Sequence, residues 1–236
     1  MALLRVIDFE TTSMPPDADV IESAYVDLFN DKDGCWSIKD GWDGWDEKLV
    51  KSDRPVEIGA RATHHISDKE IQSGIPWDDA RDILCANSPD AYVAHNADFE
   101  KQFFDSPDFQ WIDTWKCALA LYPDAPSFSN QALRYYLPNC DLGDLAMPPH
   151  RALPDCWTTA AIVEEMLCHE SAATLIEISK LPPAWPTMPF GRHYGEKWEA
   201  LPSDYLRWIT RCKDLKEGVM ECAKRELQRR ANKLPD

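Results

Sequence analysis

Two apolar runs of strand character, Leu3 to Phe9 and Val20 to Phe29, stand almost back to back at the start of the chain. The segment Thr11-Thr12-Ser13-Met14-Pro15-Pro16-Asp17 between them is a turn by composition. Val20, Ala24, Val26 and Leu28 share one face of the second run. A third strand is expected within 45–51, after the Gly- and Trp-containing stretch Asp40 to Trp45. Strands joined by such short links predict an antiparallel meander, because parallel neighbours need a long crossover.

From residue 55 the pattern changes. Trp77, Ala80, Ile83 and Leu84 have helical spacing; Ala91-Tyr92-Val93-Ala94 reads as a short buried strand, followed by a helix around Phe99 to Phe104. Trp111 to Thr114 predicts another strand running into a helix near Trp115 to Leu121, with further helices at Ser129 to Leu137 and Cys156 to Cys168. A meander followed by alternating strands and helices is an α/β arrangement around one mixed five-stranded sheet. Four prolines (Pro182, Pro183, Pro186 and Pro189) mark a linker, placed at 171–187 between a first domain, 1–170, and a small, mainly helical C-terminal module, 188–236. In that module Leu215, Val219, Ala223, Leu227, Ala231 and Leu234 form a helical stripe, and Glu221 with Arg225 and Glu226 with Arg230 offer i,i+4 pairs.

Apolar stretches such as Ala118 to Leu121 are too short to span a bilayer. The N-terminus meets Asp8 too early for a signal peptide, so an intracellular, cytoplasmic protein without membrane partners is expected. Eight cysteines without a C-x-x-C pair fit reduced, mostly buried thiols. The net charge of −16 is unequally shared. Residues 187–236 carry 11 basic and 8 acidic side chains, against 14 and 33 in residues 1–186. The first part therefore cannot hold a polyanion by bulk charge; it needs cations at its site, the basic tail, or both.

Three blocks carry chemistry. In Asp8-Phe9-Glu10, side chains two apart on a strand point to one face, so two carboxylates stand side by side and repel unless a cation separates them. In His95-Asn96-Ala97-Asp98-Phe99, Asp98 falls where a strand gives way to a helix, a place where a carboxylate also serves as a cap. In His150-Arg151-Ala152-Leu153-Pro154-Asp155, a helix start fixes Asp155, while His150 in the preceding loop is free to face solvent.

In order and spacing these blocks resemble the DEDDh 3′-5′ exonucleases of the ribonuclease H-like superfamily. The tail segments Met188 to Lys197 and Leu201 to Ile209 resemble the small C-terminal module of the exodeoxyribonuclease X family, and the earlier segments His64-His65-Ile66-Ser67 and Tyr92 to Asn96 resemble the body of that family's members. The resemblance implies a ribonuclease H-like fold and hydrolysis of nucleotides from DNA 3′ ends, single-stranded or duplex, in DNA repair. It implies that Asp8, Glu10, Asp98 and Asp155 bind two Mg²⁺ ions, replaceable by Mn²⁺, and that His150 is the general base. An imidazole, ordinarily titrating near pH ~6.5, suits that task. Phe9, Thr11, Thr12, His64 and Asn96 are expected at the substrate, and Asp113-Thr114 matches a mainly structural position. The chain departs from the family at Ser13, where members often have Gly after Thr-Thr. An exoribonuclease of the same fold and a non-catalytic module that binds nucleic acid or a protein partner stay open as alternatives.

Overall fold

The structure, a computed structural model, describes residues 2–31, 34–38 and 44–232. Strands β1 (Leu3–Thr11) and β2 (Val20–Asn30) pair antiparallel, and the far edge of β2 is shared by β3 (Trp36–Ile38) and β4 (Trp45–Leu49). On the other side, β5 (Ala91–Ala94) lies parallel to β1, and β6 (Trp111–Asp113) parallel to β5. The mixed sheet thus spans five positions across, as expected, with a sixth strand because β3 and β4 divide one edge. Residues 40–43 of the Gly- and Trp-containing stretch lie outside the described residues.

Alternation along β1 sorts its side chains between two cores. Leu4 and Val6, with Ala24, Val26 and Leu28 of β2, pack beneath helix α6 (Ala152–Leu167). Ile7 and Phe9 turn to the opposite face, where Tyr92, Phe104 and Trp111 join the residues of helix α3 (Trp77–Cys85). Arg5 also lies on that second face, wholly buried. Its guanidinium pairs with Asp27 at 2.7 Å and donates to the carbonyls of Ile83, Leu84 and Ala86, so it closes the C-terminal end of α3 onto the sheet. A charge so deep is tolerated because each donor has an acceptor.

Between β4 and α3 stand the short helices α1 (Ile58–His64) and α2 (Asp68–Gln72), the latter opened by a Ser67–Glu70 capping box. Helices α4 (Thr114–Leu121) and α5 (Asn130–Tyr136) follow β6, with Asp113 capping α4 through the Lys116 amide. The helix expected over Phe99 to Phe104 is a single 3₁₀ turn, Glu100–Gln102. It stops because the Asp105 carboxylate captures the Ser106 amide and Pro107 cannot extend a helix.

The stretch expected as a linker contains helix α7 (Ala172–Ser179), which packs on β6 and α4; the Ser179 hydroxyl accepts the Asp113 amide at 2.7 Å. Its apolar Leu175, Ile176 and Ile178 draw it onto the core, and the proline-rich segment begins only after it. The C-terminal residues have a separate core of Met188, Trp198, Leu201, Leu206, Ile209 and Val219, held between α8 (Ser203–Ile209) and α9 (Val219–Ala231). Helix α9 starts after Gly218, whose φ of 78° is left-handed, so Leu215 precedes the helix and Leu234 lies outside the described residues. Glu226 pairs with Arg230 as expected, and with Arg229; Glu221 faces Lys224 instead of Arg225. All eight cysteines are free thiols, four of them buried.

Candidate metal centre and nucleotide cavity

Asp8 and Glu10 belong to the even-numbered face of β1, the face on which α6 packs. Asp155 lies in the first turn of α6 and is 9% exposed. The fold therefore delivers a third carboxylate to the first two, with one oxygen from each lying within 4.8 Å of the others. Such a group repels itself. Burial, then Asp155, Glu10 and Glu100, push Asp8 well above the ordinary carboxylate range. Burial and Asp155 push Glu10 up to about 8. Burial also raises Asp155, although the His150 amide, 2.8 Å from Oδ2, and Gln131, 3.1 Å from Oδ1, draw it back.

The second block departs from expectation. Asp98 is turned outward, held by Lys116 at 2.7 Å and Lys101 at 3.0 Å. Burial works against its ionisation, but those lysine hydrogen bonds win and hold the carboxyl below its usual range. It is not among the three grouped carboxylates. Two residues on, Glu100, likewise outside that group of three, is buried on the 3₁₀ turn, and its Oε2 has no hydrogen-bond partner among the described residues. Burial, with Asp113 and Glu10 nearby, drives its carboxyl well above the ordinary range. Asp8 and Glu10 thus share their surroundings with Glu100, and Asp98 is occupied by lysines. Asn96 explains the difference: its φ of 71° is left-handed and turns the chain so that Ala97, Glu100 and Phe104 face inward.

A fifth carboxylate, Glu22 on β2, lies opposite Glu10 in the strand register. It is already satisfied, accepting the Arg151 guanidinium and the Ala152 amide at the start of α6. Nothing in the sequence near Glu22 signals this, because its partners lie far along the chain.

His150 is exposed and takes a left-handed φ of 61°; only its backbone is fixed, by the bond to Asp155. Its imidazole is free to approach a ligand at the carboxylates. His95, by contrast, is tied at both ring nitrogens, to Thr114 Oγ1 at 3.0 Å and the Phe128 carbonyl at 2.9 Å. Burial depresses it to about 4, so it is a neutral brace between β5 and the loop before α5.

Beside Glu10 opens a cavity of 310 Å³, lined by Phe9, Thr11, Ser13, His64 and Phe99 among others. The Phe9 ring itself belongs to the core, edge-on to Trp77 at 5.4 Å. His64 Nδ1 accepts the Ile66 amide at 2.9 Å, which leaves Nε2 as the protonated nitrogen. That Nε2 is buried without a partner among the described residues, and burial lowers the pKa of the ring. Thr12 is fully buried and braces the turn through Asp19, so it does not line the cavity. Ser13, where the resemblance leads one to expect Gly, does not need a left-handed backbone, and its hydroxyl donates to the Asp17 carbonyl. Asn96 is exposed and lines a different groove.

The donor set fits hard divalent cations: carboxylate oxygens only, crowded, with one buried oxygen left unpartnered.

Comparison with known proteins agrees with this chemistry. No family model matches the chain. Exodeoxyribonuclease 10 of Escherichia coli strain K12 is 30% identical over 217 residues, covering 88% of this chain and 90% of that protein. The solved structure of exonuclease X in complex with 5′ overhanging duplex DNA is also 30% identical. It superposes with a TM-score of 0.58 over 75% of this chain and 99% of that one. E. coli exonuclease I in complex with a dA16 oligonucleotide, at 15% identity, shares the fold alone, with a TM-score of 0.55 over 75% of this chain and 42% of that one.

Proposed function

This chain belongs to the family of exodeoxyribonuclease 10, and from that premise of a metal-dependent DNA exonuclease we propose that it releases nucleotides from DNA 3′ ends. Asp8, Glu10, Asp155 and Glu100 would hold two Mg²⁺ ions, with Mn²⁺ able to replace them. Held by these carboxylates, such cations would neutralise the phosphate and would lower the pKa of a bound water. The observation that carries this reading is the convergence of three carboxylates from two distant elements beside a buried, unpartnered fourth. Asp98, the sequence-based choice, is set aside because two lysines already neutralise it.

The chain's own groups divide the remaining work. His150, anchored through its backbone to Asp155 but free at the ring, takes a proton from the attacking water. The cavity beside Glu10 receives the terminal nucleotide. Its Phe99 ring offers a stacking face, and the His64 Nε2–H supplies a donor whose burial is otherwise uncompensated. Glu22 and Arg151 hold α6 in register, so that Asp155 meets Glu10. Residues 1–170 are read as the exonuclease unit, extended by α7, and 188–236 as a module with its own core; the separate apolar cluster supports that division.

The test is nucleotide release from 3′- and 5′-labelled oligonucleotides, with Mg²⁺ and with chelator. Mononucleotides should leave the 3′ label first and only with metal. Release of the 5′ label first, or release unaffected by chelator, contradicts the reading.

A further inference from the structure

A second groove, of 670 Å³, runs between the exonuclease unit and the C-terminal residues. Asn96, Trp115 and Ser129 line it from one side, and Trp185, Tyr194 and Lys216 from the other. None of Asp8, Glu10, Glu100 or Asp155 lines it, but two of its lining residues are chain neighbours of groups at the candidate metal centre. Ser129 is followed by Asn130 and Gln131, whose side chains hold the Asp155 carbonyl and carboxylate, at 3.3 and 3.1 Å. Asn96 stands four residues before Glu100, on the turn that points that carboxylate inward. The groove is also aromatic and basic. Lys216 Nζ sits 4.6 Å from the Trp185 ring, and Trp115 meets Trp185 edge-on at 5.3 Å. Tyr194 is 75% exposed at the rim.

We propose that this groove binds the single-stranded DNA segment immediately 5′ of the terminal nucleotide, with bases stacked on Tyr194 and phosphates beside Lys216. The proposal rests on the exonuclease reading, since a strand whose end fills the cavity beside Glu10 must leave the centre along some path. Charge favours this one. The body of the chain is strongly acidic and repels phosphate, whereas the segment that forms the far wall has basic residues in excess. Aromatic rings interleaved with a cation are what unpaired bases require, because every base presents a π-face. The groove volume lies within the range of ligand-binding clefts, roughly 300–1,000 Å³.

The experiment measures binding of fluorescein-labelled dT10 and dT3 to the full chain in EDTA, so that affinity is read without hydrolysis. Tyr194→Ala should weaken dT10 roughly 5- to 150-fold, the range of a lost base–aromatic stack, and dT3, whose two upstream nucleotides also reach the groove, by a similar factor. Lys216→Ala should lower the salt slope of dT10 binding by about 0.7, one phosphate contact. Trp208→Ala removes an exposed ring of the same module that stacks on Tyr205 away from the groove, and should leave dT10 affinity at the parental value. Parental affinity in both groove variants, or an equal loss in Trp208→Ala, overturns the proposal. Failure of the parent chain to release nucleotides in Mg²⁺ would count against the exonuclease reading alone, because the binding arm is scored independently.

Discussion

Glu22 and Arg151, 129 residues apart, meet where β2 passes the start of α6: the buried carboxylate accepts the guanidinium and, at 2.9 Å, the Ala152 amide. One side chain thereby caps a helix and fixes that helix to the strand beside Glu10. The position of Asp155, four residues into the same segment, depends on this tie.

Removing the arginine should expose its worth. Arg151→Ala leaves Glu22 buried without its cation, and loss of a buried partner costs about 3 kcal/mol or more. Urea unfolding should show that drop, with activity falling alongside because α6 carries Asp155. Unchanged stability would mean that the strand and helix are held by apolar packing alone.

The crowded carboxylates make a pH prediction for the metal-free protein. Asp8 and Glu100 are pushed well up, Asp155 is raised, and Glu10 rises to about 8. Each folded value exceeds its unfolded one, so the folded state binds more protons. Its contribution to stability is complete below the ordinary carboxylate range and is lost as pH climbs through about 8. The melting temperature in chelator should therefore fall between pH 5 and pH 8. Mg²⁺ should restore more of it at pH 8, and Asp8→Asn should flatten the slope. A chelated protein whose melting temperature rises over that interval contradicts the clustering.

His150 is held by its amide rather than by its ring. His150→Ala should consequently fold and bind Mn²⁺ like the parent, while nucleotide release slows by about 10²- to 10⁴-fold, the usual worth of a general base. Release at the parental rate removes the histidine from the reaction.

The C-terminal module is seated through Gly218. A Cβ there would stand 2.1 Å from the Pro183 carbonyl oxygen, at a φ of 78°. Gly218→Ala should loosen the module and make the segment around Pro183 newly sensitive to limited proteolysis, with the core of the exonuclease unit still protected. Parental resistance would show that the junction adapts without cost.

Much of this was legible in the chain because strand alternation is a strong signal. The two-residue period alone places Asp8 and Glu10 on one face, and the apolar pattern of 156–168 places α6 against it. Asp98 departs from the expected geometry for a local reason. A carboxylate just after a strand looks like a cap or a ligand, but the left-handed Asn96 rotates the following turn, so that position 98 faces lysines and position 100 faces the interior. One clue existed: Ala97, Glu100 and Phe104 have helical spacing, and two of the three are apolar, which marks the inward side. Glu22, Arg5 and the tie at Gly218 left no such trace, since each depends on a partner distant in sequence.

Asp98 of the second block and Glu100 just beyond it give the most direct test of the metal centre. Mn²⁺ titration of the parent, Glu100→Gln and Asp98→Asn, each followed by 3′-label release, separates the two positions in one series. The structure predicts that Glu100→Gln weakens Mn²⁺ binding and abolishes most release, while Asp98→Asn retains both. Full Mn²⁺ affinity and activity in Glu100→Gln, with both lost in Asp98→Asn, would contradict the account.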